Sequence, residues 1–154
     1  MMRSHTCGEL RREHSKTAVS LCGWVQSRRD HGGVIFVDLR DRYGKVQVVF
    51  DPSSARDACV VAGRCGREWV LRVEGVVRLR GKGLENPKLP TGDVEVLASS
   101  AEVLNESLAP PIDIEDEVKA GDDVRLKYRY VDLRRPIMNN RLVFRSRSAQ
   151  EVRK

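Results

Sequence analysis

Hydrophobic and polar positions alternate along the first part of the chain in a way that predicts β-strands. In residues 17–28, Val19 and Leu21 share one face, while the side chains between them fall on the other. Side chains alternate between faces along a strand, so this segment is predicted to be a half-buried strand. The same alternation recurs in residues 34–41 and 45–50, and glycine-bearing turns separate the three segments. The pattern predicts a meander of three antiparallel strands.

Two further apolar segments continue the pattern. Residues 69–80 and 93–104 predict a fourth and a fifth strand, separated by a loop rich in glycine and proline. Between the third and fourth strands, residues 53–65 predict a short helix with Asp51 or Ser53 as its N-cap. Three strands, a helix and two strands is the order of the five-stranded Greek-key barrel known as the OB-fold. We therefore predict a mainly β protein with one short helix in the barrel, and a small β-sandwich is the competing layout.

The composition changes after the fifth strand. Residues 105–123 contain an Ala-Pro-Pro sequence and carry seven acidic side chains against one basic, which predicts a solvated hinge or linker. From residue 124 the sequence is basic and helix-like, with Pro136 as a break before a second helix. The predicted organisation is an OB-fold domain at residues 1–104, an acidic linker at 105–123 and a C-terminal helical segment at 124–154. That segment is expected to begin a second domain that continues beyond the 154 residues.

The charge is unevenly distributed along the chain. The 28 Lys and Arg exceed the 22 Asp and Glu, for a formal net charge of +6 and a pI of about 9.4. The excess of positive charge lies in residues 1–50 and 124–154, on either side of the acidic linker. This balance suits a polyanionic partner such as nucleic acid, and it also fits many ordinary soluble proteins.

The cysteines and the hydropathy argue against a zinc protein and a membrane protein. The four cysteines form no C-x-x-C pair and have no matching histidine spacing, so we expect reduced thiols and no metal site. The sequence shows no signal peptide and no apolar segment of membrane length. A cytoplasmic protein without membrane contact is therefore expected.

One aromatic side chain departs from the expected burial pattern of the second strand. If Ile35 and Val37 face the core, Phe36 faces outward, and Gln47 on the third strand falls on the same outer side. OB-folds that bind single-stranded nucleic acid combine a basic groove with exposed aromatic rings. A phenyl ring can stack on a base for about 1–3 kcal/mol, and a glutamine amide offers both a donor and an acceptor to the edge of a uracil.

Charged side chains surround this aromatic position. Arg28 and Arg29, at the end of the first strand, are suited to contact a phosphate of the RNA backbone or a base oxygen. Glu95, outward on the fifth strand, is suited to accept from the amino group of a cytosine. Each residue also has a structural interpretation, as a covered ring, a solvated strand residue or a surface pair. Their convergence on one face favours a nucleic-acid site.

Three longer segments carry a family resemblance. They are LCGWVQSRRDHGGVIFVDLRDRYGKVQVVF, ENPKLPTGDVEVLA and RLKYRYVDLRRP. Over essentially its whole length, the chain resembles bacterial-type aspartyl-tRNA synthetases, a class II family. Lysine and asparagine synthetases share the OB-fold layout, but the RRDHGG turn and the RYVDLRR sequence fit the aspartate family better. The resemblance implies an OB-fold that binds the tRNA anticodon, then a hinge and a large catalytic domain.

The resemblance also implies roles for single residues. Phe36 would stack on the central uracil of the anticodon, and Arg29 and Gln47 would read the edge of that base. The side chains implied at the flanking bases are Arg80, Asn86 and Glu95. These roles are expectations for positions that match the family pattern.

His31 occupies a variable position of the same turn. Members of the family have either leucine or histidine there, and the histidine form tends to accompany synthetases that also charge asparagine tRNA. The two tRNAs differ in the third anticodon base, which is cytosine or uracil. Because a neutral imidazole has two tautomers, it can present a donor or an acceptor to that base. Our hypothesis is that His31 allows both tRNA(Asp) and tRNA(Asn) to be recognised.

The resemblance assigns the chemical reaction to residues outside this chain. The family activates aspartate with ATP and Mg²⁺ and transfers it to the terminal adenosine of the tRNA, and a homodimer is implied for the full-length enzyme. The motifs that bind ATP and aspartate would follow residue 154, so these residues are expected to bind tRNA without catalysing aminoacylation. The alternatives are a free-standing single-strand-binding module and a protein-interaction barrel.

Overall fold

The computed structural model describes residues 2–117 and 120–154, and its strands form a closed barrel. The order around the barrel is β1-β2-β3-β5-β4, so the predicted OB-fold is confirmed and the competing β-sandwich is wrong. A short helix, α1 (Arg56–Arg64), connects the third strand to the fourth. The strands are β1 (Ala18–His31), β2 (Val34–Arg40), β3 (Lys45–Phe50), β4 (Val70–Leu79) and β5 (Val94–Asn105).

The barrel closes because β1 has two neighbours and because β3 finds a partner distant in sequence. β1 pairs antiparallel with both β2 and β4, and its pairing with β2 is irregular between Val25 and Ser27. An irregularity of this kind bends a strand and increases its twist. The other side is closed by a parallel pairing of β3 with β5, in which Val48 lies opposite Val96.

The inward side chains of all five strands form one hydrophobic core. Leu21, Leu39, Phe50 and Leu71 are fully buried in it. Glycine is required where the strands approach most closely, because a Cβ at Gly75 would lie 2.3 Å from the carbonyl oxygen of Leu97 on the next strand.

Helix α1 begins later than predicted. The carboxylate of Asp51 accepts hydrogen bonds from the backbone nitrogen and the hydroxyl of Ser53, at 2.9 and 2.6 Å, and so stabilises a turn before the helix. The N-cap is Ala55, which has no side-chain cap, so the predicted capping by Asp51 or Ser53 is wrong. The helix packs on the barrel through Ala58, Cys59 and Ala62.

In the second unit, Pro110–Lys154, the described residues form three helices and a small core of their own. The core consists of Ile112, Ile114 and Val131, with Tyr128 packed against it. The predicted limits of the linker, residues 105–123, stay a prediction. The helices are α2 (Asp122–Lys127), α3 (Arg129–Asp132) and α4 (Pro136–Val152).

A buried carboxylate organises this second unit. Asp132 is fully buried and accepts hydrogen bonds from Arg125, Arg129 and Arg135, at 3.2, 3.2 and 2.8 Å. The hydrogen bond from Arg135, together with the bond and charge of Arg125, lowers the pKa of Asp132. Arg135 also donates to the carbonyl oxygens of two residues in the segment before α2. The RYVDLRR sequence therefore contributes a structural cluster.

The structure adds two findings on thiols and membranes. All four cysteines are free, and Cys7, Cys59 and Cys65 are buried. None of the helices in the described part of the chain combines the length and apolar character that crossing a membrane requires.

Candidate nucleic-acid interface

A continuous row of hydrogen-bonded side chains crosses the outer face of all five strands. Strand alternation turns these side chains away from the core, and the pairing of neighbouring strands brings them side by side. We call this set the polar row. In order around the barrel, its members are Ser27 and Arg29 of β1, Asp38 of β2, Gln47 of β3, Glu95 of β5 and Arg78 of β4.

The first half of the polar row joins β1, β2 and β3 through Asp38. The hydroxyl of Ser27 donates to Oδ2 of Asp38 at 2.7 Å, and Nη2 of Arg29 donates to Oδ1 at 3.2 Å. The same guanidinium nitrogen lies 3.4 Å from Oε1 of Gln47. Asp38 and Arg29 therefore fix the acceptor end of the Gln47 amide towards β1.

The second half of the polar row joins β3, β5 and β4 through Glu95. Nε2 of Gln47 donates to Oε2 of Glu95 at 2.9 Å, and Nε of Arg78 donates to Oε1 at 2.7 Å. Gln47 therefore has its acceptor towards Arg29 and its donor towards Glu95, the arrangement in which both ends of the amide are paired.

Burial differs between the centre and the ends of the polar row. Gln47 and Glu95 keep only 9% and 8% of their surface exposed. The side chains of Arg29 and Arg78 are 50% and 45% exposed. The structure therefore does not support the interpretation of Gln47 and Glu95 as freely solvated strand residues. The row presents an ordered amide and carboxylate between two accessible guanidinium groups.

Phe36 lies on the outer face beside the polar row. It is half-buried and pairs in register with Arg29 on β1 and with Val49 on β3. Its ring contacts the imidazole of His31 edge to face, with centroids 5.6 Å apart and an angle of 77° between the rings. The structure thus brings Phe36, Arg29, Gln47 and Glu95 together on one surface, with His31 at its edge.

Arg28 does not join this surface. Consecutive residues of a strand face opposite ways, and the guanidinium of Arg28 donates to the carbonyl oxygen of Gly63 in α1. The two consecutive arginines, considered together from the sequence, therefore have separate environments. Arg29 belongs to the polar row, and Arg28 tethers α1 to β1.

Arg80 and Asn86 lie in the segment that connects β4 to β5. Nε of Arg80 donates to the carbonyl oxygen of Val94 at 3.1 Å, whereas its buried Nη2 has no partner among the described residues. Arg80 therefore helps to hold the end of β4 next to the start of β5. Asn86 uses Oδ1 to accept from the backbone of Lys88 at 3.1 Å, which stabilises the loop.

The family follows from the sequence of the barrel. Residues 19–104 match the model of the tRNA anticodon family, described as an OB-fold nucleic acid binding domain. This chain belongs to that tRNA anticodon OB-fold family.

Within the described part of the chain, no group of His, Cys, Asp and Glu side chains could hold a metal ion.

Relatives extend the similarity of this OB-fold protein beyond the barrel. It is 52% identical to "Aspartate--tRNA ligase" of Porphyromonas gingivalis and 45% identical to "Aspartate--tRNA(Asp/Asn) ligase" of Protochlamydia amoebophila. The alignments cover 100% and 98% of this chain but only 26% and 25% of the relatives, so the chain spans about a quarter of their length. The resemblance to aspartyl-tRNA synthetases is confirmed.

A solved structure has the same fold. The asparaginyl-tRNA synthetase of Pyrococcus horikoshii, in complex with asparaginyl-adenylate, superimposes with a TM-score of 0.74 at 30% identity. The superposition covers 88% of this chain and 30% of that enzyme.

Sequence reasoning missed three members of the polar row in this OB-fold. Ser27, Asp38 and Arg78 have no aromatic character and no motif that distinguishes them from solvated strand residues. Asp38 was detectable as the outward neighbour of Phe36 in the alternation of β2. Arg78 was not, because its partner Glu95 lies 17 residues away and the register of that pair depends on the length of the intervening loop.

Proposed function

We propose that the outer face of this barrel binds the anticodon of tRNA(Asp) as part of an aspartate–tRNA ligase. The observation that carries the proposal is the polar row beside Phe36, which combines an aromatic face with an ordered set of donors and acceptors. OB-folds bind single-stranded nucleic acid with this combination of stacking and polar groups.

The central base of the anticodon would bind between Phe36 and Gln47. A uracil edge presents two carbonyl oxygens on either side of an N–H group. Gln47 can donate to one oxygen and accept from the N–H, while Arg29 can donate to the second oxygen. These contacts can add to the hydrogen bonds within the polar row, because the amide nitrogen of Gln47 has a second hydrogen and its oxygen a second lone pair. Little ordering of the side chains is therefore required on binding.

The flanking bases would contact the groups beyond Gln47. Glu95 can accept from an amino group, since Arg78 and Gln47 already fix its two oxygens. The guanidinium group of Arg80 can donate to a base or phosphate oxygen, and the amide nitrogen of Asn86 can do the same. Arg28 is proposed to support the RNA backbone contacts only indirectly, because its bond to Gly63 holds the end of β1 that carries Arg29.

Binding of anticodon stem-loops tests this proposal. The chain should prefer a loop with the anticodon GUC over a loop of unrelated sequence, and the preference should persist when the salt concentration is raised from about 50 to about 200 mM. Phosphate contacts alone would lose affinity with salt and would not select a sequence. Equal affinity for all loops at both concentrations would favour the free-standing single-strand-binding module instead.

The proposal also assigns a role to His31 in the choice between tRNA(Asp) and tRNA(Asn). Its ring lies against Phe36, so an imidazole is present at the edge of the stacking platform. One of the relatives named above carries the name of a ligase for both tRNAs. We propose that His31 accepts either third base through its two tautomers.

The full-length enzyme is needed to test His31. His31→Leu should lower charging of tRNA(Asn) relative to tRNA(Asp), because leucine offers no hydrogen bond to the distinguishing base. An unchanged ratio would contradict the role of His31 while leaving anticodon binding intact. Binding of the GUC and GUU stem-loops to this chain provides the matching equilibrium measurement.

The remaining properties of the whole protein are part of the same proposal. The ligase would use ATP and Mg²⁺ to activate aspartate, act as a homodimer and function in the cytoplasm. Sedimentation of the full-length protein tests the homodimer, ATP–pyrophosphate exchange with aspartate tests the activation step, and cell fractionation tests the location, all separately from RNA binding.

A further inference from the structure

The turn between β2 and β3 presents a tyrosine between two arginines. The guanidinium carbons of Arg3 and Arg42 lie 5.5 and 5.2 Å from the centroid of the Tyr43 ring. Tyr43 is 56% exposed, so the group is open to solvent. We call Arg3, Arg42 and Tyr43 the Tyr43 patch.

The backbone beneath the Tyr43 patch is fixed by one carboxylate. Asp41 is buried and accepts from the backbone nitrogens of Cys7, Tyr43 and Gly44, at 2.8, 2.7 and 3.0 Å. The segment before β1 packs closely on this turn, because a Cβ at Gly8 would lie 2.2 Å from the carbonyl oxygen of Tyr43. The patch therefore rests on an ordered turn instead of a mobile loop.

The arginines of the patch keep their hydrogen-bonding edges available. Stacking on an aromatic ring uses the face of a guanidinium group and leaves its planar fork of N–H donors free. Arg3 lies 3.7 Å from Asp41, a distance at which its charge is only partly neutralised. No carboxylate among the described residues pairs with Arg42. The Tyr43 patch thus offers oriented donors of positive charge, and its neighbouring carboxylate, Asp41, is buried, which suits phosphate groups.

The location of the patch relates it to the anticodon face. β2 carries Phe36 near its start and ends at Arg40, about 13 Å further along the strand, where the Tyr43 turn begins. An OB-fold contacts about 4–16 nucleotides, which is more than the three bases of an anticodon. We propose that the Tyr43 patch is a second RNA contact that binds phosphates of nucleotides flanking the anticodon. This inference rests on the proposed function of the barrel.

Salt-dependent binding of the GUC stem-loop tests the Tyr43 patch. Arg42→Ala should weaken binding about threefold at low salt and reduce the slope of log affinity against log salt by about 0.7, the value for one phosphate contact on a single strand. Tyr43→Ala should act in the same direction because it removes the surface that orients both arginines. Arg42→Lys should restore the slope, since it keeps the charge. Arg56→Ala, at an exposed arginine of α1, is the matched control and should match the wild type.

Selection between loops separates this inference from the proposed function. The Tyr43 patch variants should keep the wild-type preference for GUC over an unrelated loop, because phosphate contacts carry no sequence information. An unchanged affinity and slope in Arg42→Ala and Tyr43→Ala, with normal selection, would overturn the RNA role and make the turn a surface for another partner. A loss of selection would also overturn it, since the patch would then contact bases. Failure of the wild type to prefer GUC would instead contradict the proposed function.

Discussion

Two clusters of carboxylates and arginines in this molecule have the same chemistry but different accessibility. In the second unit, Asp132 is fully buried, and the side chain of Arg135 is only 8% exposed. In the polar row, Glu95 is bonded to Arg78, whose side chain is 45% exposed. When the carboxylate and the guanidinium of an ion pair are both buried, the pair stabilises one conformation of the chain. When an ordered carboxylate is paired with a solvent-exposed guanidinium, both groups remain available to a ligand. In the Asp132 cluster the side chain of Arg129 is also 50% exposed, so an exposed cation alone does not mark a binding surface. The comparison teaches that a fully buried carboxylate beside a buried arginine forms a structural cluster, whereas a carboxylate whose arginine partner is open to solvent can belong to a binding surface.

The largest expected effect comes from removing the buried charge of the second unit. Asp132→Asn should destabilise residues 120–135 by about 3 kcal/mol, because Arg135 would remain buried without its ionic partner. Hydrogen exchange of that segment should become faster, while the fluorescence of Trp24 and Trp69, both in the barrel, should not change. Asp123→Asn, at an exposed carboxylate of α2, is the control. Equal rates of hydrogen exchange in residues 120–135 of Asp132→Asn and Asp123→Asn would contradict the structural role of the Asp132 cluster.

The next effect concerns the stacking platform. Phe36→Ala should weaken binding of the GUC stem-loop by about 1–3 kcal/mol, the contribution of one base stacked on an aromatic ring. Phe36→Leu should recover little of the lost binding affinity, since leucine fills the space of the ring without offering a flat face for stacking. Val60→Ala, at an exposed apolar residue of α1, is the control for loss of surface. If Phe36→Ala instead caused a large loss of barrel stability, the ring would have to be counted as core.

A smaller effect is expected from the residue that positions Glu95. Arg78→Ala should weaken GUC binding by about 1 kcal/mol, because Glu95 then has to be ordered when the base binds. The matched control is Arg72→Ala, which removes an exposed pair with Glu74 on the same strand and should change binding little. Similar losses in both variants would mean that general charge, and not the order within the polar row, determines affinity.

The smallest effect is a difference in acid stability between the two units. The pKa of Asp132 is lowered in the folded protein, so the unfolded chain binds the proton more tightly. Its stabilisation should be complete above the ordinary aspartate pKa of about 3.9 and should be lost as the pH falls through the lower folded value. Acid titration of hydrogen exchange in wild type and Asp132→Asn measures this. A wild-type profile that matches the variant at all pH values would contradict it.

Local patterns predicted most of the barrel because strand geometry is local. Alternation in residues 34–41 predicted that Phe36 faces away from the core, and β2 has that orientation. The start of α1 was predicted wrongly, since Asp51 and Ser53 bond to each other in a turn instead of capping the helix. Asp and Ser side chains can stabilise either a turn or a helix N-terminus. Which of the two forms here depends on the backbone path that follows the last residue of β3.

The sequence by itself determined the strands, the outward position of Phe36 and the resemblance to a tRNA-binding family. These features depend on side-chain periodicity and short motifs, which are properties of neighbouring residues. Only the tertiary structure decided that Arg28 binds Gly63 of α1, that Arg78 positions Glu95, and that Asp132 is buried among arginines. The physical reason is that each of these contacts joins groups whose distance depends on strand register, on the parallel closure of β3 with β5 or on helix packing.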